Sequence, residues 1–381
     1  MFKIKKLLAI LVCSFMVLGL VTGCKSNSTT AKGTIKIGVS APITGDHAAD
    51  GSFMTKGIKL AVSEINKNGG VLGKNLELVV EDDQAIQNVT VNAVNILMSE
   101  KVVAVIGPHY STSVQATDPI FAKNKIPYLT GGTSVALENV GDPYFFRVRC
   151  ADDLVAPSVA KYAVETLKAK KIGIMYNNNA FGTGGRDLIE AYLKTVNVPF
   201  VTEGHNTGDK DFTATIAKMK NNGIDTLISW THLAETASIA KQILQLGLNV
   251  NKLDSTSLSM KACRDLAGKD ATEGWYCVAD FINGNPDPKQ VAFEKTFKET
   301  YNIDPELYAA TYYTATYVLA DAIKKAGSTD SNKIQVALRG TKDYPGLLGP
   351  LTCDSKGNML HLMTLAQVKN SELQFIGNVK Q

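Results

Sequence analysis

The feature that most constrains the fold is an alternation of short β-rich apolar runs with amphipathic segments. Parallel strands that are buried on both faces appear as near-continuous apolar runs, and the helices between them show a 3.6-residue period. In the N-terminal part the predicted strands are Ile35–Val39, Leu76–Val80, Val102–Ile106 and Ile126–Leu129, and the predicted helices are Gly57–Asn66, Asn88–Met98 and Ser113–Lys123. This order predicts an α/β protein with right-handed crossovers.

A second series of the same kind follows Arg149. Its predicted strands are Lys171–Tyr176 and Thr226–Trp230, its predicted helices are Ser158–Leu167, Arg186–Lys194, Ala234–Leu246 and Ala309–Lys325, and Asp343–Asp354 is predicted to be irregular. A chain of 381 residues exceeds what one hydrophobic core usually serves. We therefore expect two doubly wound Rossmann-like lobes joined by a multi-strand hinge, with residues 34–152 plus 281–352 in lobe 1 and residues 153–280 plus 353–381 in lobe 2.

The N-terminus has the pattern of an export signal. Three lysines precede the apolar run Leu7–Val21, which predicts a signal peptide over residues 1–23. Small residues before Cys24 resemble the lipobox of bacterial lipoproteins, which implies a lipid on Cys24 and a flexible tether over residues 24–33. The protein is therefore expected at the extracytoplasmic face of the cell membrane, held by this anchor.

Charge and cysteine spacing argue against several other classes of protein. Three lysines leave with the signal peptide, which lowers the formal net charge of +4 to +1, and the remaining basic residues are scattered, so no nucleic-acid partner is expected. Cys150, Cys263, Cys277 and Cys353 lack CxxC spacing, and the five histidines lack HExxH spacing. Neither a metal, a cofactor nor an enzyme active site is predicted. A Cys263–Cys277 disulfide and buried free thiols are equally compatible with the sequence.

Six blocks carry a resemblance to a known family: Gly38–Gly51, Glu64–Asp83, Val105–Gln115, Tyr144–Arg149, Gly208–Lys218 and Gly346–Gly357. In this order they resemble the leucine, isoleucine and valine binding proteins, which have the type I periplasmic-binding-protein fold. The resemblance implies a solute-binding protein that delivers a small zwitterionic ligand, an amino acid, to an ABC permease. A ligand-sensing receptor subunit that acts through a membrane partner would have the same sequence features.

Candidate binding residues follow two predicted strands. Ligands of doubly wound sheets lie at the carboxyl ends of strands. Tyr110 and Ser111 follow one predicted strand, and Gly132 and Thr133 follow the next. Hydroxyls at the start of a helix, next to unpaired N–H groups, suit an anionic ligand group. The resemblance assigns the ligand α-carboxylate to Ser111 and Thr133 and the ammonium to the Gly132 carbonyl, although plain N-cap roles would explain the two hydroxyl side chains as well.

The second lobe is expected to close over the ligand. By the resemblance, Phe181 matches an aromatic position of the family, and His232 falls near another. The family's acid for the ammonium aligns with Thr256, and Asp254, two residues earlier, is the candidate acid. Asp50 also departs from the family, which commonly has a bulky residue before Gly51; it is either a pocket acid or a solvated loop residue.

Two further residues bear on specificity and on the lobes. His109, together with Asp50 and His232, predicts a pocket more polar than one built for leucine. Asp152 is expected to pair across the cleft rather than to touch the ligand.

Overall fold

The structure, a computed structural model, describes residues 33–379. The predicted signal peptide, Cys24 and the tether up to residue 32 lie outside the described residues. Among the helices of the described range, none is both long enough and apolar enough to cross a membrane.

The first sheet consists of five parallel strands joined by helices. Its elements are β1 (Thr34–Ala41), α1 (Ala48–Lys67), β2 (Asn75–Asp82), α2 (Gln87–Ser99), β3 (Ala104–Ile106), α3 (Ser111–Asn124), β4 (Tyr128–Thr130), a 3₁₀ turn (Val135–Val140) and β5 (Phe145–Arg147). The strand order is β2-β1-β3-β4-β5, and Ile37 of β1 pairs with Leu78 on one side and Ala104 on the other. The order therefore reverses between β1 and β3, which is the switch point of this sheet.

The second sheet begins with five more parallel strands. Its elements are α4 (Asp152–Lys161), a π turn (Tyr162–Thr166), β6 (Ile172–Asn177), α5 (Ala180–Thr195), β7 (Phe200–His205), α6 (Thr213–Asn221), β8 (Thr226–Trp230), α7 (Leu233–Gln245), β9 (Asn251–Asp254), a 3₁₀ turn (Ser257–Ser259), α8 (Lys261–Ala267), α9 (Lys269–Thr272) and β10 (Tyr276–Ala279). These strands run in the order β10-β9-β8-β6-β7, with a switch point between β6 and β8.

The chain then returns to the helices of the first sheet. The remaining elements are α10 (Pro288–Tyr301), α11 (Leu307–Ala326), α12 (Ser331–Arg339), β11 (Tyr344–Gly346), β12 (Gly349–Cys353), β13 (Met359–Leu360), β14 (Thr364–Lys369) and β15 (Glu372–Asn378). Helix α11 packs directly on α1. A Cβ atom at Gly57 would overlap the Ala309 carbonyl, so glycine is needed for this close approach. Strand β14 then pairs antiparallel with β10, and β15 with β14.

The observed elements agree with most of the predicted ones and correct others. Thr226–Trp230 forms a strand with the predicted bounds, whereas the helix predicted to start at Ser158 starts at Asp152. The prediction of an irregular segment over Asp343–Asp354 is wrong, because Tyr344–Gly346 and Gly349–Cys353 pair as antiparallel strands. Proline and glycine sit there at the ends of a tight hairpin rather than in a loop.

The four described cysteines are free thiols. Cys150, Cys263 and Cys277 are buried and Cys353 is half-buried. Of the two alternatives left by the sequence, the described structure has thiols at Cys263 and Cys277. They pack as small apolar side chains in the core.

Candidate ligand-binding site

A cavity lies where the switch points of the two sheets meet. It encloses about 440 Å³ of space free of protein atoms, part of it open to solvent. Its "charged wall" comes from elements around the first sheet and consists of Asp50, His109, Tyr110, Ser111, Gly131, Gly132, Thr133, Arg149 and Tyr308. Its "aromatic wall" comes from the second sheet and consists of Phe181, Thr231, His232, Leu233, Thr256, Ser257 and Met260. The cavity thus occupies the place where doubly wound sheets bind ligands.

Asp50 is a buried carboxylate of the charged wall, in the first turn of α1. The Tyr110 hydroxyl donates a short hydrogen bond to Asp50 Oδ2 and lies 2.8 Å from His47 Nδ1. Asp50 Oδ1 has no hydrogen-bond partner among the described residues and is closed off from water. Burial raises the pKa of Asp50 despite the hydrogen bond from Tyr110. This oxygen can accept a hydrogen bond or carry a proton, and no described residue supplies a donor to it.

A row of aromatic rings connects Tyr110 to Arg149. The His109 ring packs edge-on against Tyr110 at 4.9 Å and against Tyr308 at 4.4 Å, measured between ring centroids. His109 Nδ1 lies 2.8 Å from the Tyr312 hydroxyl. Burial, reinforced by the charge of Arg149, lowers the pKa of His109 well below its usual value, so this imidazole is neutral. The Arg149 guanidinium lies 5.4 Å from the Tyr308 ring centroid.

Arg149 is the cation of the charged wall, and an ion pair with Asp280 fixes its position. Arg149 Nε donates to Asp280 Oδ2 at 2.9 Å, and His361 Nε2 lies 2.9 Å from Asp280 Oδ1. Burial would raise the pKa of Asp280, but Arg149 and His361 hold it well below its usual range. Burial likewise opposes protonation of His361, yet Cys150 and Asp280 raise its pKa well above the usual value. Two cations thus share one carboxylate, which leaves a net positive charge beside the cavity.

Cys150, Asp280 and His361 bring three possible metal-ligating atoms within 4.8 Å of one another. Each of these groups already has a protein partner, because the Cys150 thiol donates to the His361 carbonyl and Asp280 joins His361 to Arg149. A divalent cation would have to displace these bonds next to a guanidinium. The arrangement therefore serves to position Arg149 rather than to hold a metal ion.

The two hydroxylated loops are bound to each other. Ser111, the first residue of α3, accepts at Oγ from Ser134 N at 3.2 Å. Buried Arg147 donates from Nε to the Gly132 carbonyl at 2.8 Å and from Nη2 to the Ser134 carbonyl at 2.7 Å. The Thr133 carbonyl accepts from Asp152 N at 2.9 Å. One acceptor position of the Gly132 carbonyl is thus already used by a cation, which makes it a weaker partner for a ligand ammonium.

The aromatic wall is a stack of rings without an ionised group. Phe181 lies between His232, at 5.1 Å, and Trp230, at 5.8 Å, and both pairs are stacked. Asn179 Nδ2 donates to His232 Nε2 at 3.0 Å. Burial, and then the neighbouring histidines, lower the pKa of His232 to about 3, so it is neutral. The His232 ring reaches the Tyr110 ring of the charged wall, with 5.1 Å between centroids.

Of the eight candidate binding residues, the structure places seven in the cavity walls: Asp50, Tyr110, Ser111, Gly132, Thr133, Phe181 and His232. Asp254 is not among the lining residues. Its Oδ2 accepts from Leu258 N at 2.8 Å and its Oδ1 from Thr236 Oγ1 at 3.3 Å, so it stabilises the turn after β9. Thr256, two residues on, lines the cavity instead. Asp152 is also buried outside the lining set.

Sequence reasoning missed Arg149 and Tyr308 as wall residues. Arg149 follows β5, the same kind of position that pointed to Ser111 and Thr133, but β5 itself was not predicted. Its position in the block Tyr144–Arg149 was a usable clue. Tyr308 comes from α11, about 200 residues away from its neighbour His109, and only the packing of α11 on α1 brings it there.

Comparison with known proteins shows the family to which the chain belongs. A periplasmic binding protein family model matches residues 34–372. The chain belongs to this family. Its members bind and deliver solutes and are not enzymes, in agreement with the prediction from sequence.

Individual relatives cover almost all of the chain. The leucine-, isoleucine-, valine-, threonine- and alanine-binding protein of Pseudomonas aeruginosa is 30% identical over 89% of this chain and 90% of its own. A leucine-binding protein structure from Thermotoga maritima matches with a TM-score of 0.86 at 26% identity, covering 91% of this chain and 99% of its own. A Streptococcus pneumoniae branched-chain amino acid transporter substrate-binding protein in complex with isoleucine matches with a TM-score of 0.83 at 26% identity, covering 91% of this chain and 98% of its own. The predicted type I periplasmic-binding-protein fold is thereby confirmed.

Proposed function

We propose that this protein captures a small amino acid, or an amino-acid-like solute, outside the cytoplasm and delivers it to an ABC permease. The observation that carries the proposal is the convergence of four helix N-termini on one cavity: the first turns of α1, α3, α5 and α7 supply Asp50, Ser111, Phe181 and Leu233. Helix N-termini offer unpaired N–H groups and a positive dipole end. A ligand with a carboxylate is favoured there.

Ser111 and Thr133 are proposed to donate their hydroxyls to the ligand α-carboxylate. Both are buried in the charged wall, on loops that the bond between Ser134 N and Ser111 Oγ ties together. The ammonium is proposed to contact the Gly132 carbonyl and the Thr256 hydroxyl, since Gly132 and Thr256 line the cavity from opposite walls. Asp254 plays no part in this arrangement.

Binding is proposed to close two lobes over the ligand. Residues 34–152 plus 281–352 form one lobe in this proposal, supported by the packing of α11 on α1, and residues 153–280 plus 353–381 form the other. Phe181 and His232 then approach the charged wall. A ligand that touches both walls stabilises the closed form more than the open form, and this difference in affinity drives closure.

The anchor is part of the same proposal. A lipid on Cys24 would hold the protein at the extracytoplasmic face of the membrane, close to its permease. Replacement of Cys24 by alanine is expected to move the protein from the membrane fraction to the soluble fraction and to abolish labelling with radioactive fatty acid. Unchanged labelling would refute the anchor and leave the solute-binding proposal intact.

The binding proposal is tested by a thermal-shift screen of the purified protein against the common amino acids. The true ligand is expected to raise the melting temperature by mass action, and Ser111→Ala and Thr133→Ala are each expected to weaken its binding at least about tenfold in calorimetry. Thr300→Ala, on the exposed face of α10, is the matched control. No shift with any amino acid would refute the proposal, and full affinity in both wall variants would refute the roles of Ser111 and Thr133.

A further inference from the structure

On the basis of the proposed function, two charged groups of the cavity restrict which side chain the amino-acid ligand can carry. The charged wall holds Asp50 and Arg149, and no other Asp, Glu, Lys or Arg of the described residues lines the cavity. Both residues are 5% exposed. A buried ionisable group without a partner is costly, so each one restricts what the ligand can place beside it.

Asp50 requires a donor. Its Oδ2 is occupied by Tyr110, whereas Oδ1 has no partner among residues 33–379. An aliphatic side chain would leave this buried oxygen unpaired, and a ligand carboxylate would face it as a like charge.

Arg149 requires an acceptor. Its Nε is committed to Asp280, and its two terminal nitrogens have no hydrogen bond to any other described residue. The ligand α-carboxylate already has the hydroxylated loops and the start of α3 in the same cavity. Arg149 is therefore a second acceptor-seeking group, beyond what an amino-acid head group needs.

We propose that the ligand side chain ends in a carboxamide or ureido group, whose N–H donates to Asp50 Oδ1 and whose carbonyl accepts from Arg149. A neutral group that both donates and accepts fits both partners. A cationic side chain would fit Asp50 and oppose Arg149, and an anionic one would do the reverse. Asp50 and Arg149 are thus the residues that determine specificity, and leucine is a poor ligand.

Isosteric pairs test the inference on the unmodified protein. Calorimetry compares asparagine with leucine and glutamine with methionine, alongside glutamate and lysine. At least one amide is expected to bind about 100-fold or more tightly than its apolar isostere, because a site built for hydrogen bonds strongly rejects an analogue that lacks them. The same amide is expected to exceed both charged amino acids.

The variant Asp50→Leu tests whether Asp50 causes the preference for the amide. It is expected to remove most of the discrimination within each isosteric pair by weakening binding of the amide. Asp118→Asn is the control, because Asp118 also accepts from a buried tyrosine, Tyr128 at 2.6 Å, but lies outside the cavity. If Asp50→Leu does not fold, the isosteric comparison on the unmodified protein still decides.

The outcomes separate the two proposals. If amino acids bind but leucine or methionine matches its amide isostere, or if glutamate or lysine binds more tightly, the side-chain inference is overturned and the amino-acid function stands. Equal binding within the pairs is also the result expected if the ligand ammonium, rather than its side chain, contacted Asp50. If no amino acid binds, the proposed function fails and this inference fails with it.

Discussion

The two walls of the cavity are built on opposite principles. In the charged wall, buried Arg149 is held through Asp280 and His361, and the buried acid Asp50 through Tyr110. Phe181 and His232 of the aromatic wall stack with Trp230, which does not line the cavity, and the histidine is neutral. Buried charges are costly to leave without partners, whereas each stacked ring contributes little beyond its buried area.

This difference indicates that the charged wall selects the ligand and that the aromatic wall covers it. Charged groups fixed by buried partners discriminate strongly between ligands, because a wrong ligand leaves them unpaired. Rings accept many ligands of suitable size. We therefore expect substitutions in the charged wall to change which ligand binds, and substitutions in the aromatic wall to change how tightly any ligand is held.

The largest effect is expected at Arg149. Arg149→Met removes the cation that faces the ligand and leaves Asp280 with only His361, so ligand affinity should fall by about 100-fold or more and stability by about 3 kcal/mol. Calorimetry and urea unfolding measure the two losses. In the double variant Arg149→Met/Asp280→Leu, stability should recover in part while binding does not. Recovery of binding in the double variant would contradict a direct role of Arg149.

Alanine substitutions at two glycines disturb the packing around one wall at a time. A Cβ atom at Gly131 would overlap His109 Nδ1 and the Tyr312 hydroxyl, and one at Gly185 would overlap the Trp230 indole. Gly131→Ala and Gly185→Ala are each expected to cost about 1–3 kcal/mol of stability. Only Gly131→Ala should also change the order of preference among ligands.

Gly184→Ala serves as the control for this pair. Its Cβ atom would meet only the Ser134 hydroxyl, at 3.2 Å, and alanine is favoured over glycine inside a helix. Stability should therefore stay the same or rise by up to about 1 kcal/mol. A changed ligand preference in Gly185→Ala would mean that the aromatic wall also selects.

The acids behind the two walls should respond oppositely to pH. Burial raises the pKa of Asp254, behind the aromatic wall, to about 7, so its contribution to stability is complete below about pH 4 and is lost as the pH rises through 7. Asp280 has a lowered pKa, so its contribution is present above about pH 4 and is lost only at lower pH. Between pH 5 and 8, only Asp254 of these two changes its contribution to stability.

Urea unfolding at pH 5 and pH 8 measures this difference. In Asp254→Asn, the loss of unfolding free energy over this range is expected to be smaller by on the order of 2 kcal/mol than in the unmodified protein. Asp187→Asn, at an exposed position, should leave the loss unchanged. An unchanged loss in Asp254→Asn would show that this carboxyl is ionised throughout the range.

Much of the fold follows from local sequence patterns, and the reason is visible in particular elements. β8 was predicted with its true bounds because Thr226–Trp230 is an apolar run with all five residues buried. β15 was not predicted, because Glu372–Asn378 lies at an edge of the second sheet and its residues are exposed or half-buried. Edge strands lack the continuous apolar pattern of central parallel strands.

The residues of the site likewise divide into those that a sequence pattern reveals and those that it does not. Residues that directly follow predicted strands, such as Ser111, Thr133 and His232, could be found from the sequence because the chain direction of a parallel sheet places them at one edge. Asp254 also follows a strand, yet its carboxylate turns toward Leu258 N, and no sequence pattern reveals that choice. Arg149 and Asp280 meet across 131 residues, and only the folded chain brings them together.

The smallest effect is expected at Phe181. Phe181→Leu keeps an apolar side chain but loses the flat ring that is proposed to pack against the ligand, a contact worth about 0.5–1.5 kcal/mol, so affinity should fall by about three- to tenfold. Phe181→Tyr keeps the ring and should retain most of the affinity. Isosteric ligand pairs measured on both variants should show the same preference as the unmodified protein. A loss of about 100-fold in Phe181→Leu, or an altered preference, would place selection on both walls and remove the distinction between them.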